Sequence, residues 1–234
     1  MPMVCTSHYH RRRRRRSTEL WALLLALTVS CIPRQPPKVF QAVTDTAPPC
    51  WHEICPGVTS RQEVLEILGS LPEVDQSQVA ELSIYPPASG TAWRFDRSQA
   101  RGFDTGKCVY RDGTVVYCYF GYGGSGLRLK HVLDEFGDPK HIVPIVQYAD
   151  HRWLVVFLVY PDVGFGLAYV VSPWTSDEIE VNPNTKVRGC YLFSPEQYVE
   201  LLGEPFGLLG FTREAVEGAQ RPWLGYGTFE LDVP

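Results

Sequence analysis

Val64-Leu65-Glu66-Ile67-Leu68-Gly69 is the stretch from which the fold is inferred, because two later segments repeat its pattern. Val132-Leu133-Asp134-Glu135-Phe136-Gly137 lies 68 positions further on, and Tyr198-Val199-Glu200-Leu201-Leu202-Gly203 lies 66 positions after that. In each segment the apolar residues have the spacing of one helix face, and the glycine is a residue that commonly ends a helix. The repetition predicts three short helices, each belonging to a duplicated unit.

The residues before these segments support the same assignment. Thr59 with Gln62, or Ser60 with Glu63, has the spacing of a capping box before the first helix. Ser194-Pro195 starts the third helix with a cap and a proline at its first position. The polar residues 73–82 are expected to form one further short helix.

Alternating apolar residues and turn sequences predict antiparallel strands after the first two helices. The clearest is a hairpin in which Asp112-Gly113 joins residues 106–111 to residues 114–122. The other predicted strands are residues 91–95, 142–148, 153–160, 166–172, 186–193 and 226–231. Helices followed by antiparallel strands predict an α+β fold made of tandem helix-plus-antiparallel-sheet units, with the helices on one side of the sheet.

The first 31 residues have the features of an export sequence. Six arginines, Arg11 to Arg16, precede the uncharged run 20–30, which is shorter than the roughly 20 apolar residues that span a bilayer. Leu27-Thr28-Val29-Ser30-Cys31 resembles a bacterial lipobox, in which the cysteine is lipidated and becomes the mature N-terminus. Residues 1–30 are therefore predicted to be a signal peptide and Cys31 the lipidation site; an ordinary cleaved signal is the alternative.

The segment after Cys31 predicts a tether and then three units. Residues 31–49 contain five prolines and are expected to be an extended tether. The first α+β unit is predicted at residues 50–125, the second at 126–193, and a third, partial unit with a C-terminal strand at 194–234. Residues 1–30 hold six arginines and one glutamate, so the remainder has 16 basic and 25 acidic residues, a formal net charge of −9. That charge argues against nucleic acid as a partner.

Five cysteines follow Cys31, in a compartment that permits disulfides. Cys50 and Cys55 are close enough to form one bridge; with His52 they form a less favoured metal alternative. Cys108 and Cys118 flank the predicted hairpin. In a strict two-residue turn they would point to opposite faces, so a bridge between them requires a three-residue loop or a bulge. Cys190 is expected to be a buried thiol.

These features together resemble a superfamily of bacterial envelope lipoproteins. A lipobox, a proline-rich tether, Pro56-Gly57-Val58-Thr59 before a helix that ends Leu68-Gly69, and antiparallel strands are similar to the small outer-membrane assembly lipoproteins and the tandem-repeat β-lactamase-inhibitor proteins. The resemblance covers about residues 48–205. It implies units with a helix-loop-helix on one side of a small sheet, whose outer face holds protein partners.

No enzyme chemistry stands out in the sequence. The metalloprotease, phosphate-loop, nucleophile-elbow and Cys-x-x-Cys motifs are all missing from it. Ser125 lies in a glycine-rich turn, and His131, His141 and His151 are spaced to lie on different elements. The sequence therefore predicts no catalytic residues, no metal site and no cofactor, and a protein that is not an enzyme.

The aromatic strands suggest a binding surface. Residues 114–122 and 153–160 are apolar on both faces, so both faces of the sheet must be covered. One cover is the helices; the other is packing between units or a partner protein that contacts Tyr117, Tyr119 and Trp153. The function predicted is a membrane-tethered envelope lipoprotein that binds or scaffolds another envelope protein. The alternatives are an extracytoplasmic enzyme or enzyme inhibitor and a purely structural envelope protein.

Overall fold

The computed structural model describes residues 49–83, 88–96, 98, 103–123, 127–148, 152–171, 178–198 and 213–230. In chain order, the elements before residue 150 are α1 (Arg61–Ser70), β1 (Val74–Ser83), β2 (Ser89–Phe95), β3 (Phe103–Arg111), β4 (Thr114–Tyr122), α2 (Leu129–Phe136) and β5 (His141–Tyr148). The later elements are β6 (Arg152–Tyr160), β7 (Phe165–Val171), β8 (Glu178–Val181), β9 (Gly189–Phe193), a 3-10 turn (Pro195–Gln197), α3 (Arg213–Ala219), β10 (Arg221–Pro222) and β11 (Gly227–Glu230).

One antiparallel sheet dominates the described part of the chain. Its nine strands lie in the order β1-β2-β3-β4-β9-β7-β6-β5-β10, and β8 pairs with β11 in a separate two-stranded ribbon. The predicted α+β fold of tandem helix-plus-sheet units is therefore wrong: the described residues are mostly β and contain three α-helices. The physical reason is that β9 hydrogen-bonds to β4 on one side and to β7 on the other, which joins strands from both predicted units into one sheet.

Hydrophobic clusters cover both faces of this sheet. The Trp93 face packs Trp93, Phe120 and Leu158 against Val64 of α1 and Leu129 of α2. The Tyr119 face carries Tyr117, Tyr119, Tyr191 and Phe157, and Val216 of α3 is fully buried against this second cluster. Both faces of β6 are buried, as its continuous apolar run predicts. Helices therefore lie on both sides of the sheet, whereas the sequence analysis placed them on one.

The start of α1 and the end of α2 agree with the sequence, whereas one predicted helix is a strand. Ser60 caps α1: its Oγ accepts from the Glu63 amide at 3.3 Å, and the Glu63 carboxylate accepts from the Ser60 amide at 2.7 Å. Gly137 ends α2 with a φ of 73°, as predicted. Residues 73–82, predicted to be helical, instead form most of β1, whose Val74 pairs with Phe95 of β2.

Two further predictions concern the end of the first helix and the position of the third. Gly69 was predicted to end the first helix, but it lies inside α1, which continues to Ser70. The third predicted helix begins after Ser194 with the 3-10 turn, and its repeat segment, residues 198–203, lies almost entirely outside the described residues. Cys31, the signal peptide and most of the tether also lie outside them.

The sheet has two ends that matter for function. The end that holds Pro49, the Asp112-Gly113 turn and Gly164 is called the proximal end. There, Gly164 lies against Pro49, and Gly57 donates to the Val115 carbonyl at 2.7 Å. The distal end is the opposite one, where β3 and β6 begin and β4 ends.

Candidate functional site

A cavity of about 420 Å³ opens at the distal end of the sheet. It is lined by Asp104, Thr105, Tyr119, Gly121, Tyr122, Trp153, Val170 and Arg188. These residues come from β3, β4, β6, β7 and the segment before β9, which are brought side by side only by the sheet order. Three aromatic side chains, an aliphatic side chain and a few polar groups are the usual composition of a protein's binding pocket.

Two glycines make room for side chains that line this cavity. Gly121 of β4 is directly opposite Gly189 of β9, so two neighbouring positions on the Tyr119 face have no side chain. A Cβ at Gly189 would overlap the ring of Tyr119, and a Cβ at Gly121 would lie 2.6 Å from Thr105 Oγ1. The two glycines therefore let the Tyr119 ring lie along the sheet, with its phenol towards the cavity.

Charges of both signs line the cavity. Arg188 is exposed, on the segment that leads into β9. Asp104 lies at the register shift near the start of β3, and a Cβ at Gly123 would meet its carboxylate. An arginine and an aspartate on one aromatic-lined pocket can hydrogen-bond polar groups of a ligand while the rings contact its apolar part.

Burial affects the titration of neighbouring groups on the Tyr119 face. It raises the pKa of the Tyr119 phenol and raises that of Tyr117 to about 12, so both are neutral hydrogen-bonding groups at physiological pH. Desolvation lowers the pKa of Lys107, which lies across from Tyr119 and holds its amine 5.5 Å from the centre of the Tyr117 ring. Lys107 therefore makes a cation–π contact with the ring of the buried Tyr117.

The structure brings together two of the three predicted partner-binding residues. Tyr119 is half-buried and Trp153 is 37% exposed, and both line the cavity. Tyr117 is only 6% exposed and packs in the Tyr119-face cluster, so it is a core residue. Sequence reasoning missed Asp104, Thr105 and Arg188, which are separated by up to 84 positions. Gly121 and Gly189 make room for the Tyr119 ring, but only the sheet order places them opposite each other.

Both candidate disulfides are present. Cys50 bonds to Cys55, so neither thiolate remains for the metal alternative, and His52 Nε2 lies 3.0 Å from a carboxylate oxygen of Glu73. Cys108 and Cys118 are bonded and lie directly opposite each other with their Cα atoms 4.2 Å apart. The register shift between Val109 and Tyr110 supplies the bulge that this bridge requires. Two disulfides indicate an oxidising, extracytoplasmic compartment.

The remaining sequence candidates do not meet at one place. His131 lies on α2 and His141 at the start of β5, whereas Ser125 and His151 lie outside the described residues. The free thiol of Cys190 is buried, as predicted, and burial raises its pKa to about 12. Within the described ranges, no group of three or more His, Cys, Asp or Glu side chains has the arrangement of a metal site.

An antiparallel β protein with two disulfides and an aromatic cavity at one end of its sheet is the class that these features define. Comparison of the chain with protein-family models, with curated proteins and with solved structures finds no match. In the part of the chain that the structure describes, no helix has the length and apolar content needed to span a membrane.

Proposed function

We propose that this protein is a membrane-tethered extracytoplasmic lipoprotein that binds another envelope protein through its distal cavity. The observation that carries this proposal is the convergence of Tyr119, Trp153 and Arg188 in one cavity of about 420 Å³. Tyrosine, tryptophan and arginine are the residue types that contribute most to binding at protein interfaces. They lie together here although they come from three different strands or loops.

The cavity suits a protruding side chain of a partner. Its aromatic rings offer apolar area with little conformational entropy to lose, because each ring has only two side-chain torsions. Asp104 and Arg188 can then select the polar groups that flank the inserted side chain. Thr105 supplies a hydroxyl beside Gly121.

The anchor part of the proposal is supported by the N-terminal sequence. The arginine block, the apolar run 20–30 and the lipobox-like Leu27 to Cys31 support export and lipidation of Cys31. Both disulfides agree with an extracytoplasmic compartment. Mass spectrometry of the mature N-terminus tests the anchor directly: a diacylglyceryl group on Cys31 is expected, and an unmodified N-terminus would contradict it.

The binding part is tested by cross-linking in the producing cells, followed by purification of the full chain with its adducts. We expect one or more protein adducts that are lost in Trp153→Ala and reduced in Tyr119→Phe. Lys130→Ala is the control, because Lys130 is an exposed residue of α2 that does not line the cavity. Adducts that persist in Trp153→Ala would remove the cavity as the partner site.

Adducts that are absent from every variant, wild type included, would favour a purely structural envelope protein. Conversion of a small molecule in the same cells, abolished by Trp153→Ala without any protein adduct, would favour the enzyme alternative. Tyr117→Ala is uninformative about binding, because Tyr117 is buried and its removal disturbs the core.

A further inference from the structure

Most of the exposed large apolar side chains of the described residues lie at the proximal end, opposite the cavity. Those at the proximal end are Val58, Val163, Leu224 and Tyr226, whereas Trp153 is at the distal end. Single exposed apolar residues are common, but several along one end of a sheet give that end an apolar character that a partner surface can cover.

The most exposed of them is on a firmly held loop. Leu224 is 81% exposed between Trp223 and Tyr226, whose rings are 6.0 Å apart. Trp223 Nε1 donates to the carboxylate of Asp138 at 3.2 Å, and Gly225 has a φ of 95°, which turns the chain sharply. β10 pairs with β5 on one side of the loop and β11 with β8 on the other. Paired strands therefore hold this tip in place.

This loop is linked by contacts to Pro49, the first residue that the structure describes. The Trp223 amide donates to the Lys140 carbonyl at 3.3 Å, and Lys140 Nζ lies 3.5 Å from Asp162 in the β6–β7 turn. The same turn contains Gly164, which lies against buried Pro49. Residues 32–48, which connect Cys31 to Pro49, thus join the fold at the end that carries the exposed apolar residues.

We propose that the proximal end rests on the lipid bilayer through Leu224 and Tyr226 beside the edge strand β10, Val163 in the β6–β7 turn and Val58 next to β4. This rests on the lipid anchor of the proposed function. Tryptophan and tyrosine favour the membrane–water interface, where one end of the ring is apolar and the other hydrated. A second contact adds to a lipid anchor, because surface burial of apolar area strengthens membrane attachment.

The contact is apolar in character. The proximal end carries charges of both signs, including the ion pairs of Lys140 with Asp162 and of Arg61 with Glu81. It therefore has no uniform positive surface that would require anionic lipid. We expect binding to zwitterionic lipid, with little dependence on salt.

This orientation directs the cavity away from the membrane. β6 has nine residues and runs from the distal to the proximal end. At 3.3 Å per residue the two ends are roughly 30 Å apart, which is more than the thickness of one headgroup layer. Trp153 at the distal start of β6 would then be clear of the lipid and accessible to a protein partner.

The test uses the full chain with its native N-terminal modification, purified in detergent and reconstituted into phosphatidylcholine vesicles that contain a doxyl-labelled quencher lipid. An environment-sensitive fluorophore is attached to Leu224→Cys, and to Ser98→Cys as the matched label at the exposed distal end. Cys190 is buried and does not compete for the label. We expect quenching at position 224 to exceed that at position 98 by roughly threefold or more, with no loss in about 1 M salt. The additional substitution Tyr226→Ser is expected to reduce the quenching at position 224.

The possible results of this experiment test the orientation, the membrane contact and the lipid anchor separately. Equal quenching at both positions overturns the orientation, and quenching at neither overturns the contact while leaving the lipid anchor intact. Protection of position 224 only after a protein extract is added would assign this end of the sheet to a protein instead. If Cys31 carries no lipid, the proposed anchor fails; quenching at position 224 on preformed vesicles would still support the contact, and its absence would overturn it.

Discussion

The strand ladders of β3 and β4 are interrupted, whereas those of β5, β6 and β7 are continuous. The β1–β2 register shifts between Asp75 and Ala80, and the β3–β4 register shifts twice. Across β5–β6 and β6–β7, the described pairing runs without a shift. One sheet therefore contains an irregular half, β1 to β4, and a regular half, β5 to β7, joined through β9.

The two halves are stabilised by different means. Both disulfides are in or over the irregular half, where β1 is largely exposed and Trp51 stacks on Trp93 at 5.8 Å. The regular half has its core in β6, where every residue from Leu154 to Tyr160 is buried. The comparison indicates that crosslinks hold the half whose ladder is broken, and that two-sided apolar burial holds the other.

Phe157→Ala should have the largest effect on the regular half. Phe157 is fully buried and lies 5.8 Å from the Tyr191 ring, so its removal leaves a cavity in the Tyr119-face cluster. We expect the free energy of unfolding to fall by about 3–5 kcal/mol in denaturant titrations. Trp153→Ala on the same strand is the matched control and should cost under about 1 kcal/mol. If Phe157→Ala also lowered the free energy of unfolding by less than about 1 kcal/mol, the role assigned to β6 would be contradicted.

Removal of the Cys108–Cys118 bridge should have the next largest effect. The bridge closes a loop with a sequence separation of 10. The chain-entropy relation gives about 3 kcal/mol for the Cys108→Ala/Cys118→Ala double variant, and about 2 kcal/mol for the shorter Cys50–Cys55 loop. Hydrogen exchange should accelerate in β3 and β4 and stay slow in β5 and β6. Equal acceleration in both halves would show that they do not differ in the way proposed.

The same contrast explains which parts of the fold were predictable from sequence. The Asp112-Gly113 hairpin and the buried run of β6 depend on local pattern, and both were predicted correctly. Residues 73–82, which form most of β1, were predicted to be a short helix as a polar segment. What makes β1 a strand is its pairing with β2. The α+β prediction failed for the same reason, since the β4–β9 and β7–β9 pairings join residues far apart in sequence.

The candidate site was predictable only in part. Tyr119 and Trp153 were found because large aromatic residues on two-sided strands stand out in a sequence. Tyr117 was assigned to the same surface by alternation, but packing on the Tyr119 face buries it. Arg188 and Asp104 have no local signal, because they reach the cavity only through the sheet order.

Strand β9, which joins the two halves, gives a pH-dependent prediction. Cys190 of β9 is fully buried, and burial raises its pKa to about 12 from an ordinary 9.0. The unfolded chain loses this proton first, so stability is complete below about pH 9 and declines as the pH rises towards 12. Between pH 8 and 10, the wild type should lose roughly 1–2 kcal/mol more than Cys190→Ala, measured by denaturant titration at each pH. Identical slopes would mean that the thiol is hydrated in the folded protein.

Lys107→Met should give the smallest effect, with the opposite sign. Lys107 is on the Tyr119 face of the irregular half, whereas the regular half has Val155, Phe157 and Val159 on that face. Desolvation lowers the pKa of Lys107, and its amine contacts the Tyr117 ring rather than a carboxylate. Methionine keeps the stem and removes the buried charge, so we expect a gain of about 1 kcal/mol at pH 7.

The gain from Lys107→Met should shrink as the pH rises from the lowered pKa of Lys107 towards about 10.4, where the unfolded chain also loses the proton. Lys130→Met is the control, because Lys130 is exposed on α2 and its replacement should change stability by less than about 0.5 kcal/mol. A loss of stability in Lys107→Met would mean that the cation–π contact outweighs desolvation. In that case the cation–π contact of Lys107 with Tyr117 would stabilise the irregular half in addition to its two disulfides.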